Sequence, residues 1–431
     1  MKIVTMFQHD LPLVHLMLFF EASPTFDPPG LEGLTALTNR MLLRGTRRRS
    51  RRAMEDAVED LGTELLTATQ SYGLGIGGIV LSRHLRTFTA LLGEVLTEPA
   101  FDVSELEKVK REMMADVEVA LDEDGPLSRI WFRRSVFGDH PLARGAMGTP
   151  QSIAAITRQD VVDHHRRLYT KRHLIVSVSG DTERAVVEDL VGRALSALPE
   201  GTEHQWDLPP VQPIHGRRLT LINRPDRSQH QMVMGQPCVA AGHPDVIPMG
   251  LATIGFGGTF TSRLMQEVRV KRGWSYGAYA RMAPERKGGL YVMSAAPDRS
   301  QWKGTLALLL DEFRQFVDVG LADDEIEFAR EHMIQAHVFG TETAALQVAQ
   351  RVRALLLGRP EDYADRYVEL ISAPTTDEIR ASIRRNLDAQ ALEVVMVCTV
   401  DDALLAEAEA IDGITEVRVC QPRDFLERSA P

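Results

Sequence analysis

Two parts of this chain about 220 residues apart repeat each other, and the repeat restricts the fold to two copies of one unit. Phe101-Asp102-Val103-Ser104-Glu105-Leu106-Glu107, followed by Arg111-Glu112-Met113-Met114, resembles a later stretch. That stretch is Leu321-Ala322-Asp323-Asp324-Glu325-Ile326-Glu327, followed by Arg330-Glu331-His332-Met333. Residues 153–180 match 371–399 in the same way: a helix signal, a charged helix and then an apolar strand. Near the middle lies Leu208-Pro209-Pro210-Val211-Gln212-Pro213, whose prolines fix φ and remove donors, so it reads as an extended linker. The expected division is an N-terminal domain over 1–206, a Pro-rich linker over 207–216 and a C-terminal domain over 217–431. In each half antiparallel-looking strands mix with runs of helices. This predicts an α+β fold, two homologous domains each with a mixed or antiparallel sheet covered by helices.

The formal net charge of −11, from 49 basic and 60 acidic side chains, argues against nucleic acid or an anionic membrane as the main partner. The local exception is Arg44, Arg47, Arg48, Arg49, Arg51 and Arg52, which reads as a solvated loop face or, second, as a contact for an acidic partner. The three cysteines, Cys238, Cys398 and Cys420, are odd in number, without CxxC spacing, and imply no disulfide framework. Cys398 lies in an apolar run and reads as a small buried hydrophobe. His9, Asp10 and His15 interrupt the apolar residues at the start, so no secretory signal is visible. No stretch reaches the length of a membrane span. The expectation is a soluble chain, cytoplasmic by default.

Residues 255–276 carry the clearest local signal. The cluster Gly255, Gly257 and Gly258 allows a tight turn and a close approach to a neighbour. Leu264 and Val268 then follow at helical spacing, with Thr261 or Ser262 to cap the start and Gly273 to end the helix. The helix delivers Arg269 near its end and Tyr276 just beyond. A guanidinium and a phenol brought to one point can both donate hydrogen bonds to a single carbonyl oxygen. Spacing alone fits equally a surface arginine beside a half-buried tyrosine.

These motifs, with 30–50, 99–126, 140–180 and 255–279, resemble the pitrilysin/insulysin family of zinc metallopeptidases. The likeness is to its half-size members, which include the mitochondrial processing peptidase subunits. The resemblance implies two homologous α+β domains forming half of a clam-shell chamber for peptides. Active members carry HxxEH on the first helix, where two histidines four apart hold zinc and the glutamate takes a proton from metal-bound water. The matching positions here are Ala36, Asn39 and Arg40, directly before Met41-Leu42-Leu43-Arg44-Gly45-Thr46. The family's third ligand, a glutamate, aligns near Asp116, with Glu112 and Glu118 beside it. None of the three motif positions offers the required group, and no other HxxEH occurs. His164-His165 and His332 with His337 have the wrong spacing and read as exposed or structural.

Arg269 and Tyr276 match a family pair, seven apart, that binds substrate near the scissile bond. The resemblance therefore implies a subunit with no cofactor of its own that contributes Arg269 and Tyr276 opposite an HxxEH-bearing partner. The zinc is expected in that partner of a heterodimer, with peptide as substrate and a homodimer as the other pairing. The alternative is a catalytically inactive structural, assembly or peptide-binding homologue.

Overall fold

The computed structural model describes residues 1–204 and 206–427; Gln205 and residues 428–431, which fall within the expected domain ranges, lie outside the described residues. The first sheet contains β1 (Lys2–Phe7), β2 (Leu13–Glu21), β3 (Leu66–Gln70), β4 (Gly73–Leu81) and β5 (Leu174–Gly180), in the order β1-β5-β2-β4-β3. The second contains β6 (Arg217–Asn223), β7 (Gln231–Pro237), β8 (Ser275–Glu285), β9 (Gly288–Pro297), β10 (Leu392–Cys398) and β11 (Ile414–Cys420). Its order is β11-β6-β10-β7-β9-β8. Without the added edge strand β11, the second order reproduces the first strand for strand. The pairing directions also agree: β1 is parallel to β5 and β6 to β10, while β2 and β7 run antiparallel to those central strands. This is the mixed α+β architecture expected from the repeat.

The repeat extends to single hydrogen bonds. Ahead of β5 the Arg158–Leu168 helix starts with a capping box, Thr157 N–H to the Asp160 carboxylate at 2.8 Å and Asp160 N–H to Thr157 Oγ1 at 3.2 Å. Ahead of β10 the Thr376–Asn386 helix starts with Thr375 and Glu378 in the same two bonds, again 2.8 and 3.2 Å. Each box satisfies two N–H groups that the first helical turn leaves without partners.

The central strands are buried on both faces, and so carry almost unbroken apolar runs: Leu174, Ile175, Val176 and Val178 in β5, and Leu392, Val394, Val395, Met396 and Val397 in β10. Cys398 closes β10, fully buried, and all three cysteines are free. β2 alternates instead, burying Val14, Leu16, Leu18 and Phe20. Among the described residues no helix is long and apolar enough to cross a membrane.

The compact units are not the two sequential halves. Unit one is Met1–Glu118, Arg144–Asp207 and Val338–Ala364; unit two is Val119–Ala143, Leu208–His337 and Asp365–Pro431. The Ala344–Leu356 helix, late in the chain, lays Val348, Val352 and Leu356 on Ile175 of β5, with Val4, Met6 and Phe19 packed around them. The Asp124–Phe137 helix, early in the chain, packs on β7 and β10 of the second sheet, and its Phe132 ring lies against Gly235. Only Glu123 separates the helix that ends at Asp122 from the one that begins at Asp124. The expected linker has no helix or strand over residues 206–215, and His140 Nε2 donates to the Pro209 carbonyl at 2.7 Å.

The exchanged helix is part of the first core. Leu356→Ala is expected to cost about 2–5 kcal/mol in denaturant unfolding, as for other buried leucine truncations. Loss of amide-exchange protection should then appear in β1 and β5, although Leu356 lies in the other half of the sequence.

Candidate functional site

The Leu34–Met41 helix carries the three motif positions. Gly33 occupies its N-cap with φ of 96°, a conformation that favours glycine, and has no side chain with which to cap. Asp27 caps in its place. Its buried carboxylate accepts the N–H groups of Gly33 and Thr35, both at 2.9 Å, and the Thr35 hydroxyl at 2.5 Å. Because Thr35 gives its only proton to Asp27, His164 must donate Nε2–H to Thr35 Oγ1, at 2.8 Å. Arg167 donates in turn to His164 Nδ1 at 3.3 Å and to the Phe26 carbonyl at 2.7 Å. Burial, aided by the Arg167 charge, pushes His164 down to about 3. Burial likewise lifts Asp27 to about 6, against the pull of its hydrogen bonds from Thr35 and Gly33. His164, read from sequence as exposed or structural, is buried and part of a helix clamp.

Ala36 is buried and has no group to offer a metal. Asn39 is 1% exposed, with both ends of its amide engaged. Its Nδ2 donates to the Ala68 carbonyl at 2.9 Å and to Thr69 Oγ1 at 3.1 Å, and its Oδ1 accepts the buried Tyr169 hydroxyl at 2.9 Å. This amide is a strut between helix and β3, and an amide is too weakly basic to take a proton from water. Arg40 Nη1 lies 2.7 Å from Asp116 Oδ2, the residue aligned with the family's third ligand. Ala36, Arg40, Thr67, Thr69, Met113 and Asp116 line a cavity of about 250 Å³. These residues do not fit zinc. Alanine and arginine are not ligands, and the guanidinium gives Asp116 the positive neighbour that a metal would otherwise provide. Among the described residues no group of three or more His, Cys, Asp or Glu could hold a metal ion.

In the second unit, Arg269 lies on a helix of unusual winding. The Arg263–Met265 turn widens into a π segment over Gln266–Val270, where Lys271 N–H bonds the Gln266 carbonyl at 2.9 Å. Such bulges recur at functional sites. Gly273, at φ 64°, ends it as expected, its N–H on the Arg269 carbonyl at 3.0 Å. The expected cap differs: Ser262 occupies the N-cap, but its Oγ donates to the Thr259 carbonyl at 2.6 Å and not to a helix N–H group. The close approach expected of the glycines is real, since a Cβ on Gly257 would lie 2.4 Å from the Ala280 nitrogen.

β8 then begins at buried Ser275 and turns Tyr276 outward, 78% exposed and not half-buried. The structure brings the pair together, by stacking. The Arg269 guanidinium carbon lies 4.7 Å from the Tyr276 ring centre and 5.1 Å from that of Phe260. Face contacts leave the hydrogen-bonding edges of both groups free. Among the described residues the Arg269 guanidinium has no ion pair or hydrogen bond. Its neighbours differ: Arg263 pairs with Glu325, and Lys271 and Arg272 both pair with Glu267. Phe260 and Tyr279, edge to face at 6.5 Å, complete an exposed aromatic patch that spacing arguments missed. The available signal was an aromatic residue inside the polar turn Thr259-Phe260-Thr261.

Two expectations follow from this geometry. Arg40→Ala removes a half-exposed ion pair worth about 0–1 kcal/mol. Asn39→Ala strands the buried Tyr169 hydroxyl and should cost more, about 1–3 kcal/mol in equilibrium unfolding. The second concerns acid. Burial holds His164 at about 3 and His165 at about 4, both below the unfolded histidine value of 6.5, so only the unfolded state gains these protons as pH falls below 6.5. His230, lowered to about 4, adds to this loss of stability, while Asp27, raised from 3.8 to about 6, and Glu393, raised from 4.5 to about 7, oppose it, three groups against two. Thermal melts should therefore show the midpoint falling from pH 7 to pH 4.5.

Residues 3–149 match the family model described as Insulinase (Peptidase family M16), and residues 155–333 match the one described as Peptidase M16 inactive domain. The chain is 26% identical to an uncharacterized zinc protease of Streptomyces coelicolor, over 83% of this chain and 79% of that one. It is 23% identical to the Non-peptidase homolog YmxG of Helicobacter pylori, over 90% of each. In fold it resembles a peptidase M16 inactive domain from Pseudomonas fluorescens, with a TM-score of 0.85 at 24% identity, covering 93% of this chain and 95% of that one. It also resembles the periplasmic protease PqqL of Escherichia coli, with a TM-score of 0.76 at 13% identity; there 94% of this chain covers 48% of the other. Together the two family models span most of the sequence, and the chain belongs to the insulinase family of peptidases, M16, as a member without the HxxEH residues.

Proposed function

We propose that this chain is the zinc-free subunit of a two-chain metallopeptidase, completing the site of an HxxEH-bearing homologue. One observation carries this reading: Arg269 remains unpaired between two aromatic rings while the cations around it are neutralised. A free guanidinium beside a free phenol suits a peptide carbonyl, which accepts from both. Arg269 holds and orients the peptide. Tyr276 donates to the carbonyl oxygen as negative charge develops on it, where a preplaced donor is worth most. The partner supplies the metal. The match of this chain to about half of PqqL supports pairing, since the longer chain has room for two such halves.

A second reading, a catalytically inactive structural or peptide-binding homologue, draws on the replacement of all three motif residues and on the name carried by the Helicobacter pylori relative. A cleavage assay separates them. The chain alone should be inactive with or without chelator, and the mixture with an HxxEH homologue from the same source should cleave peptides in a chelator-sensitive way. In that mixture, Arg269→Ala or Tyr276→Phe in this chain should lower kcat/KM about a hundredfold. Full activity with both substitutions present would defeat complementation, and a stable but inactive complex would favour the second reading.

A further inference from the structure

We propose that the first unit binds a small amphipathic anion, a carboxylate or phosphate on an apolar body, in a cavity formed by Arg47, Arg158, Arg166, His165, Phe101 and Leu198. The cavity holds about 400 Å³, within the range of small-molecule sites. It is bounded by the arginine-rich loop, the end of the Leu85–Thr97 helix, the turn at Phe101, the Arg158–Leu168 helix and residues 197–199. It belongs to the first unit, apart from Arg269 and Tyr276, and stands whatever the partner of this chain proves to be.

Its charge is the first argument. Three arginines and a histidine line it, and no carboxylate does, in a chain of net charge −11. Most of the arginine-rich loop is neutralised: Arg44 by Glu112, Arg48 by Glu98, Arg49 by Glu94 and Arg51 by Glu55. Arg47 is not. Its guanidinium has no ion pair among the described residues, and nearby Glu98 is already held by Arg48. Arg158 donates to the carbonyls of Phe101 at 2.8 Å and Ala100 at 3.3 Å, neutral groups that leave its charge uncancelled. Arg166 reaches Asp163 only at 3.5 Å, both largely exposed, and Asp163 also accepts from Gln159 at 2.9 Å. Guanidinium groups bind carboxylate and phosphate through paired N–H donors.

The walls are the second argument. Leu96, Phe101, Val162, Tyr169 and Leu198 surround the charged rim with apolar surface. Phe101 has φ of 46°, left-handed for a residue with a Cβ, a conformation that persists only where surroundings enforce it and that collects at ligand sites. Arg158 enforces it through the carbonyl, and the His165 ring meets Phe101 edge-on at 5.2 Å. His165 also stacks on Tyr169 at 4.8 Å, and its buried Nε2 has no hydrogen-bond partner. Burial lowers His165 to about 4, against the pull of the Leu96 carbonyl, so the cavity's positive charge at neutral pH belongs to the arginines. A charged rim over an aromatic interior selects neither a bare ion nor an extended polyanion.

Calorimetric titration of the full chain with phenyl phosphate, benzoate and inorganic phosphate tests this. Phenyl phosphate or benzoate should saturate one site, and the tighter of the two identifies the head group. Inorganic phosphate, lacking a body, should bind about tenfold more weakly or worse. The double variant Arg47→Ala/Arg166→Ala removes exposed side chains, so it should keep its melting temperature while losing about tenfold or more in affinity. Ala197→Trp, which fills the cavity from its rim, should abolish binding. The proposal is overturned if neither aromatic anion gives saturable heat at millimolar concentration. Unchanged affinity in the double variant, or equal affinity for inorganic phosphate, overturns it as well.

Discussion

A single buried carboxylate holds the helix that carries the three motif positions. Asp27 caps the Leu34–Met41 helix from outside it, because Gly33 at the cap has no side chain and must adopt a conformation that residues with a Cβ avoid. The chain Arg167 to His164 to Thr35 to Asp27 runs donor to acceptor without a break. An isolated buried carboxylate would be costly; one that accepts three hydrogen bonds and adjoins a neutral, oriented imidazole is tolerable. The clamp fixes the helix, and the helix fixes where Ala36, Asn39 and Arg40 point.

Given that scaffold, Asn39 and Arg40 carry structural contacts and offer no metal ligand. Zinc would have supplied two positive charges near Asp116, and a guanidinium now stands 2.7 Å from that carboxylate. At Asn39 stands an amide whose three hydrogen bonds join helix, β3 and Tyr169. Here the cation is neutralised and both ends of the amide are engaged. Around Arg269 the reverse holds, since acidic neighbours neutralise Arg263, Lys271 and Arg272 and leave the one guanidinium stacked and unpaired. The contrast between a paired cation and a stacked, unpaired one separates the two regions physically.

Much of this was legible in the residues. The repeat gave two α+β units because similar helix and strand signals recur at nearly one offset, and a local hydrogen bond such as that of Thr157 or Thr375 depends only on residues three apart. The absence of zinc ligands was equally plain, since a ligand needs a lone pair that alanine and arginine lack. Gly273 was readable as a helix end for the same local reason. Which residues share a unit was not readable. The Ala344–Leu356 and Asp124–Phe137 helices show an apolar face, but a face does not say which sheet will cover it.

The sequence by itself determined the elements, their duplication and the chemistry that three motif positions can no longer perform, because these follow from side-chain identity and short-range spacing. Only the tertiary structure decided that Asp27 caps a helix it does not belong to, that Phe260 flanks Arg269, and that each sheet borrows a helix from the other half of the chain. The first two join residues six to nine apart that no single regular element spans, and the third joins residues from opposite halves of the chain. All are settled by packing, which decides which surfaces leave water together.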